Sequence, residues 1–282
     1  MFKQAILVEG HGNPNITQAM INLLDSDSID FYIHWDLKSA KPSFLSNYSK
    51  IHLVPRRKVY WGGQSLTFVT LDLIKFAIQG EYDFYHIVSG QDMCLMDKQH
   101  FETFFKNHYK SNFIDLHNTS EYLWRVKYFY FFEKLNIPRR LIYELALMNA
   151  KIQSFLRIDR LRNRGSLHIG KGEHWASINK DLAKKICNKS SFEKIKAIFK
   201  DTFISDEMWL QTVVLNPDYF FDNGSAIFNN AEKTRLIDWS RGNPYVFNEE
   251  DFKNLVNELN GEYAFIRKVE PSLAKKIALA LK

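Results

Sequence analysis

The chain has 282 residues, with 38 Lys and Arg against 32 Asp and Glu, for a formal net charge of +6. That length supports a real hydrophobic core, and we read it as a single domain over 1–282, a nucleotide-binding half to about 120 followed by an acceptor and catalytic half. Its two cysteines, Cys94 and Cys187, exclude a disulfide-stapled secreted scaffold, and no run approaches the roughly 20 apolar residues of a membrane-spanning helix.

The first residues form a strand-like run, Lys3 to Val8, rather than a signal peptide, so a cytoplasmic location is expected. The turn Gly10-His11-Gly12-Asn13-Pro14 follows. Asn13 as N-cap and Pro14 at the first helical position open a helix through about Leu24. Strands are expected at Phe31 to Trp35, ending on Asp36, and at Ile51 to Val54. A helix runs from Ser65 to about Ile78, a strand from Asp83 to Val88, a helix from Lys98 to His108 and a strand from Phe113 to Leu116. This order predicts an α/β sheet, largely parallel at first, with ligand at the carboxyl ends of the strands.

From Tyr122 to Arg164 the pattern is helical and basic, broken at Pro138. Between Glu121 and Gly165 ten basic residues (Arg125, Lys127, Lys134, Arg139, Arg140, Lys151, Arg157, Arg160, Arg162, Arg164) face four acidic ones, so this segment accounts for the whole net charge. Interleaved with Trp124, Tyr128, Phe129, Tyr130, Phe131 and Phe132, such a patch suits nucleic acid, an anionic membrane or a phosphorylated substrate, or is simply a solvated helix face. Strands return at Ser166 to Ile169 and His174 to Ile178. Helices follow at Asp181 to Cys187, Ser191 to Phe199 and Asp206 to Leu215. After turns at Asn223-Gly224 and Arg241-Gly242-Asn243-Pro244, helices span Glu249 to Asn260 and Ser272 to Lys282.

Three strand ends bring polar groups to one edge: Glu9, Gly10 and His11; His34, Asp36 and Lys38; Ser89, Gly90, Gln91 and Asp92. Glycines there let backbone approach a ligand closely, although turn chemistry accounts for them equally well. An acidic residue after the second strand commonly meets a nucleotide. Gly10-x-Gly12 is too short for a dinucleotide fingerprint, and no Walker loop is present. The sole Asp-x-Asp, Asp25-Ser26-Asp27, follows a helix instead of ending a strand, and the cysteines and histidines lack zinc spacing, so no metal and no cofactor are expected. Protein cations would then meet a departing diphosphate. One positive charge at about 4 Å contributes roughly 4 kcal/mol at an intermediate dielectric, and Arg241, Arg267 and Lys268 are candidates. In Ile204 to Thr212, Ser205 reads as an N-cap that places Glu207 in the first helical turn, where its charge suits the helix dipole. The fourth residue of a Ser-x-x-Glu capping box is here Met208, so capping does not account for Glu207.

Asp36-x-Lys38, then Val59-Tyr60-Trp61-Gly62-Gly63-Gln64-Ser65, then Val88-Ser89-Gly90-Gln91-Asp92, resemble the core-2/I-branching β-1,6-N-acetylglucosaminyltransferase family, which includes peptide xylosyltransferases. Gly172-Glu173-His174-Trp175-Ala176-Ser177-Ile178 is similar to that family's Gly-Ser-x-Trp-Phe-x-Leu segment, Ser205-Asp206-Glu207 to its Pro-Asp-Glu, and Arg235-Leu236-Ile237-Asp238-Trp239 to a late segment of bacterial members. The resemblance implies a GT-A-type fold carrying a helical basic insertion, a UDP-sugar donor, inversion at the anomeric carbon and no metal. It implies Glu207 as catalytic base. It also implies donor contacts from Asp36 to the uridine, from Val8 and Arg57, and from Arg241 and Lys268 to the diphosphate; His11, at the end of the first strand, is a further candidate donor contact. Asp92, Glu173 and Trp175 would face the acceptor. The chain departs from the family pattern at Cys94, Ser205 and Glu173-His174, the last beside the acceptor.

The expected activity is transfer of a sugar, N-acetylglucosamine first and xylose or galactose as alternatives, to a glycan or lipid-linked glycan in bacterial surface polysaccharide synthesis. Partners would be the UDP-sugar, the acceptor and the anionic inner membrane face, touched by the region from Trp124 to Arg164 and by Lys275-Lys276, without nucleic acid. The rival from another class is a basic, non-catalytic nucleic-acid-binding protein, which explains the charge patch but not the polar strand ends.

Overall fold

Gln4 to Gly10 is buried at every position, the mark of a strand covered on both faces. In the computed structural model, which describes residues 1–118, 120–135, 137–165, 167–222, 228–231 and 234–282, this run is β1 (Gln4–Gly10). It is followed by α1 (Asn15–Leu24), β2 (Ile29–Trp35), β3 (Ile51–Leu53) and α2 (Ser65–Ala77). Next come β4 (Phe84–Ser89), β5 (Asp92–Cys94), α3 (Lys98–Asn107), β6 (Asn112–Phe113) and β7 (His117–Asn118). The basic region supplies α4 (Trp124–Lys127) and α5 (Arg139–Phe155), and after it lie β8 (Gly170–Lys171), β9 (Ser177–Asn179), α6 (Lys180–Cys187) and α7 (Lys189–Phe199). A 3-10 turn, Ser205–Glu207, leads into α8 (Trp209–Leu215) and α9 (Pro217–Phe220). The chain closes with β10 (Asn230–Ala231), β11 (Arg235–Ile237), α10 (Phe252–Leu255), β12 (Phe265–Arg267) and α11 (Pro271–Ala280).

Among the described residues seven strands form the central sheet, in the order β10-β6-β9-β4-β1-β2-β3. β1 pairs in parallel with β2 and β4, and β2 with β3, while β9 enters antiparallel between β4 and β6. This mixed, mostly parallel sheet flanked by helices is the GT-A-like arrangement expected. Glu9 lies level with His34 on one neighbour and Ser89 on the other, so the carboxyl ends of β1, β2 and β4 share an edge.

Alternation along β1 sorts the core. Ile6 and Val8 join one cluster with Met20, Phe101, Phe105 and Ile277, from α1, α3 and α11. Ala5 and Leu7 join the other with Val69, Leu73, Leu182, Ile195 and Trp209, from α2, α6, α7 and α8. Full burial of each large apolar side chain contributes about 1.5–3 kcal/mol relative to exposure. A third, smaller cluster seats α5, whose Ile142, Ala146 and Ala150 meet Tyr128, Tyr130, Phe203 and Ile204. A second sheet joins β12 in parallel to β11 and antiparallel to β5, which carries Arg267 and Lys268 to the end of β4. Both cysteines are free.

Several expectations are corrected. Beyond Phe113 no strand continues, because the side-chain amide of Asn230 bonds both the N–H and C=O of Ile114. Of the strand expected at 166–169, Ser166 lies outside the described residues and 167–169 form none; the neighbouring strands are β8 and β9, at 170–171 and 177–179. The turn at Asn223-Gly224 also lies outside the described residues. The helix at 249–260 breaks into a 3-10 turn, α10 and a second 3-10 turn, and stops before Asn260, whose φ is +58°. Between α4 and α5 the aromatic run from Tyr128 to Phe132 is non-helical: the Tyr130 ring packs against Phe203 and Phe132, while Phe131 stays exposed.

Candidate active site

The turn that bears Glu207 begins with Ile204 in the left-handed region, φ 47°. Ser205 is not an N-cap as expected: its buried hydroxyl pairs with Thr67 Oγ1 of α2 at 2.8 Å. Met208, φ −133°, interrupts the helix, so Glu207 sits in a 3-10 turn ahead of α8 instead of in its first turn. Four more contacts fix this turn. Ile204 N donates to Gly62 O at 2.9 Å, and Asp201 N to Gln64 Oε1 at 2.6 Å. Gly172 N donates to Glu207 O at 3.0 Å, and His174 Nδ1 to Asp206 O at 3.1 Å. Gly62 has φ +79°, and a Cβ there would lie 2.9 Å from the Phe203 ring, so only glycine fits. The Trp61-Gly62-Gly63-Gln64-Ser65 run therefore acts as the seat of the Glu207 turn.

His174 belongs to a buried relay. Its Nε2 donates to Glu9 Oε2 at 2.8 Å, and Thr70 Oγ1 donates to the other Glu9 oxygen. Burial works to lower the His174 pKa, but the Glu9 carboxylate and its hydrogen bond outweigh it, and with Asp206 they raise it to about 9. The ring is thus charged at neutral pH and donates from both nitrogens. Burial raises the Asp206 carboxyl above its ordinary range; the Glu207 charge adds to this and charged His174 opposes it.

Glu207 itself is about one-third exposed, and its Oε2 takes Arg125 Nη1 at 3.0 Å and Lys171 Nζ at 3.7 Å. Arg125 is buried and stacks on Tyr122 and Trp124, with ring centroids 4.5 and 5.7 Å away. Among the described residues nothing bonds to Oε1. One oxygen is anchored and the other open, which suits a positioned proton acceptor.

Of the residues expected on the donor side, His11, Asp36 and Lys268 directly follow β1, β2 and β12. Asp36 N donates to Gly10 O at 2.8 Å, and Asp36 Oδ1 accepts from Lys38 N at 2.9 Å. His11 is exposed, and its pKa is lowered by burial of part of the ring, with Asp36 opposing and Lys268, Arg267 and Lys38 acting the same way. Lys268 is half-buried, and among the described residues its ammonium has no hydrogen bond or ion pair; burial lowers its pKa, and Arg267 and Arg139 add to that. Arg241 is differently placed: Asp238 Oδ2 at 2.5 Å and Asp251 Oδ1 at 2.9 Å hold it, over the Tyr245 ring at 3.8 Å. Tyr245 O accepts from Lys268 N at 3.4 Å, so the backbone under the Arg241 guanidinium adjoins the one that carries Lys268. Arg57 pairs with Asp72 of α2, and its amide donates to buried His34 Nε2 at 3.0 Å. Val8 is fully buried in the core.

Of the residues expected to face the acceptor, Asp92 is buried, its oxygens taken by Ser89 N and Oγ at 2.7 Å and by Arg267 Nη1 at 2.8 Å. Arg267 lies over the Trp175 ring at 4.0 Å, and Trp175 meets His174 at 4.7 Å. Glu173 accepts from Trp239 Nε1 at 3.1 Å. The Asp-x-Asp carboxylate, Asp25, accepts from the amides of Asn47, Tyr48 and Ser49 and from the Ser46 hydroxyl. Burial pushes its pKa up, but these hydrogen bonds dominate and bring it down to about 2. No group of three or more His, Cys, Asp and Glu among the described residues is arranged to hold a metal ion.

A model of the core-2/I-branching enzyme family matches residues 28–259. The chain belongs to that family. No individual curated protein matches it. As a core-2/I-branching enzyme the protein is a glycosyltransferase that draws on a nucleotide sugar and a glycan acceptor. The matched span holds Asp36, Arg57, Asp92, Glu173, Trp175, Glu207 and Arg241, whereas Val8, His11 and Lys268 lie outside it. Sequence reasoning missed the partners in this core-2/I-branching enzyme: Arg125 and Lys171 on Glu207, and Glu9 and His174 behind it. Position in a motif singled out His174, but nothing local signalled a partner 165 residues away. Gly10 is another correction, since a Cβ there would lie 2.1 Å from the Trp35 ring: it admits packing, not ligand.

Proposed function

We propose that the protein is an inverting, metal-independent transferase that moves N-acetylglucosamine from its UDP-sugar to a glycan hydroxyl in bacterial surface polysaccharide synthesis. The observation that carries this reading is the Glu207 carboxylate, anchored through one oxygen on a turn fixed by α2, the 62–64 loop and the 172–174 segment. Its open oxygen takes the proton of the acceptor hydroxyl. The acceptor oxygen then forms the new bond at the anomeric carbon as the bond to the UDP oxygen breaks on the opposite face. Asp36 holds the uridine, and the unpaired ammonium of Lys268 meets the diphosphate, charge stabilisation that a metal would otherwise supply. Arg241 would share its guanidinium between diphosphate and Asp238 and Asp251. Trp175 and Glu173 line the acceptor side. The same site would accommodate UDP-xylose or UDP-galactose as alternative donors.

A panel of UDP-sugars assayed for transfer or hydrolysis in EDTA tests the reading. UDP-N-acetylglucosamine should turn over at an undiminished rate, and a requirement for added metal would overturn the cationic clamp. Lys268→Met should weaken UDP binding about 10- to 100-fold, the effect of one charged hydrogen bond, as read by calorimetry. Unchanged affinity would remove Lys268 from the donor site.

A further inference from the structure

Helix α5 buries one face and leaves another bare. Ile142, Ala146, Ala150 and Gln153 turn inward. On the other side Leu141, Met148, Ile152 and Phe155 follow at intervals of seven, four and three residues, the spacing of one helical face. They are 46, 54, 51 and 87% exposed, and Leu156 beyond them is 60% exposed. Phe131, 77% exposed, extends the patch from a neighbouring loop whose Phe129 carbonyl accepts from Asn149 and Gln153 of the same helix. Single exposed apolar side chains are ordinary; a continuous stripe is not.

Among the described residues the charges around the stripe that lack an opposite partner are basic. Among the described residues Lys151, Arg157, Arg162 and Arg164 have no carboxylate partner, while the acids of the region are occupied: Asp159 by Lys127 at 3.5 Å and Glu144 by Arg140 at 3.0 Å. Arg160 is excluded from the patch, because its guanidinium bonds the carbonyls of Asp201, Ala197 and Ile198. At 17 residues α5 is about 25 Å long, and no described helix is long and apolar enough to cross a membrane.

We propose that this face of α5 is a docking surface for an anionic lipid bilayer. The helix lies in the interface, with Leu141, Met148, Ile152 and Phe155 in the acyl boundary and Lys151, Arg157, Arg162 and Arg164 on the headgroups. A second copy of the chain fits less well, because pairing two such faces would bring these cations together without acids to offset them. The proposal does not depend on the sugar-transfer reading, because its readout is sedimentation.

Co-sedimentation of the full chain with vesicles of phosphatidylcholine alone, or mixed with phosphatidylglycerol, tests it. Binding should require the anionic lipid, weaken with salt and fall at least tenfold in Ile152→Glu/Phe155→Glu. Arg157→Gln and Arg162→Gln on the adjoining loop should each cost roughly fivefold. Four outcomes would overturn it: no binding to anionic vesicles, equal binding to neutral ones, binding that survives both sets of changes, or a concentration-dependent dimer without vesicle binding. The substituted side chains are exposed, so an unchanged thermal midpoint is expected in every variant.

Discussion

Glu207→Gln should lower the rate of sugar transfer by about 10²–10⁴-fold, the contribution of a positioned general base, while UDP affinity stays unchanged. Glutamine keeps the shape of the side chain and still offers an oxygen to Arg125 and Lys171, so the turn should keep its place. What it loses is the ability to take a proton. Because Glu207 is about one-third exposed and a glutamine oxygen can still accept from Arg125, thermal stability should fall far less than activity. A variant with full activity would sink the assignment of Glu207 as base. A variant inactive because it is unfolded would show itself in calorimetry, and Glu207→Asp would then separate the two causes by keeping charge while withdrawing reach.

His174→Ala should produce the largest loss of stability. Removing one partner of a buried ion pair leaves the other charge uncompensated and costs about 3–5 kcal/mol. Here the orphan is Glu9, in the middle of the sheet edge and 6% exposed. The thermal midpoint should fall by roughly 10 °C for a domain of this size. The same substitution frees the carbonyl of Asp206, so kcat should drop while KM for the donor holds, as a positioning role requires. The pair also predicts a pH dependence. His174 rises in the fold from its ordinary 6.5 to about 9. Its stabilisation is therefore complete below 6.5, shrinks as pH rises toward 9 and is gone above it. The wild type should lose stability across that window more steeply than the alanine variant, as thermal unfolding at several pH values would show; parallel profiles would refute the charged relay.

The long elements were legible in the sequence because their patterns are long. β1, β2 and β4 and helices α1 and α2 carry six or more residues each, enough for burial and capping signals to accumulate. β5, β11 and β12 have three residues each, too few for alternation to register, yet they form the sheet that brings Arg267 and Lys268 to the site. Motif order pointed to the segment around Glu207, but the local reading of Ser205 as a cap failed because the hydroxyl found Thr67, 138 positions earlier. The charge count over 121–165 was correct as a sum and misleading as a surface. Arg125 and Arg160 point inward, and only the packed structure distinguishes them from Arg157 and Arg162.

The bond between Glu9 and His174 also has a meaning for synthesis. During synthesis His174 follows Glu9 by 165 residues. At about 5–20 residues per second the carboxylate waits roughly 8–33 s for its partner. Until then the first strand cannot be buried at its carboxyl end without stranding a charge. The buried pair at the carboxyl end of β1 is therefore completed only when the segment that also holds the Glu207 turn has been made.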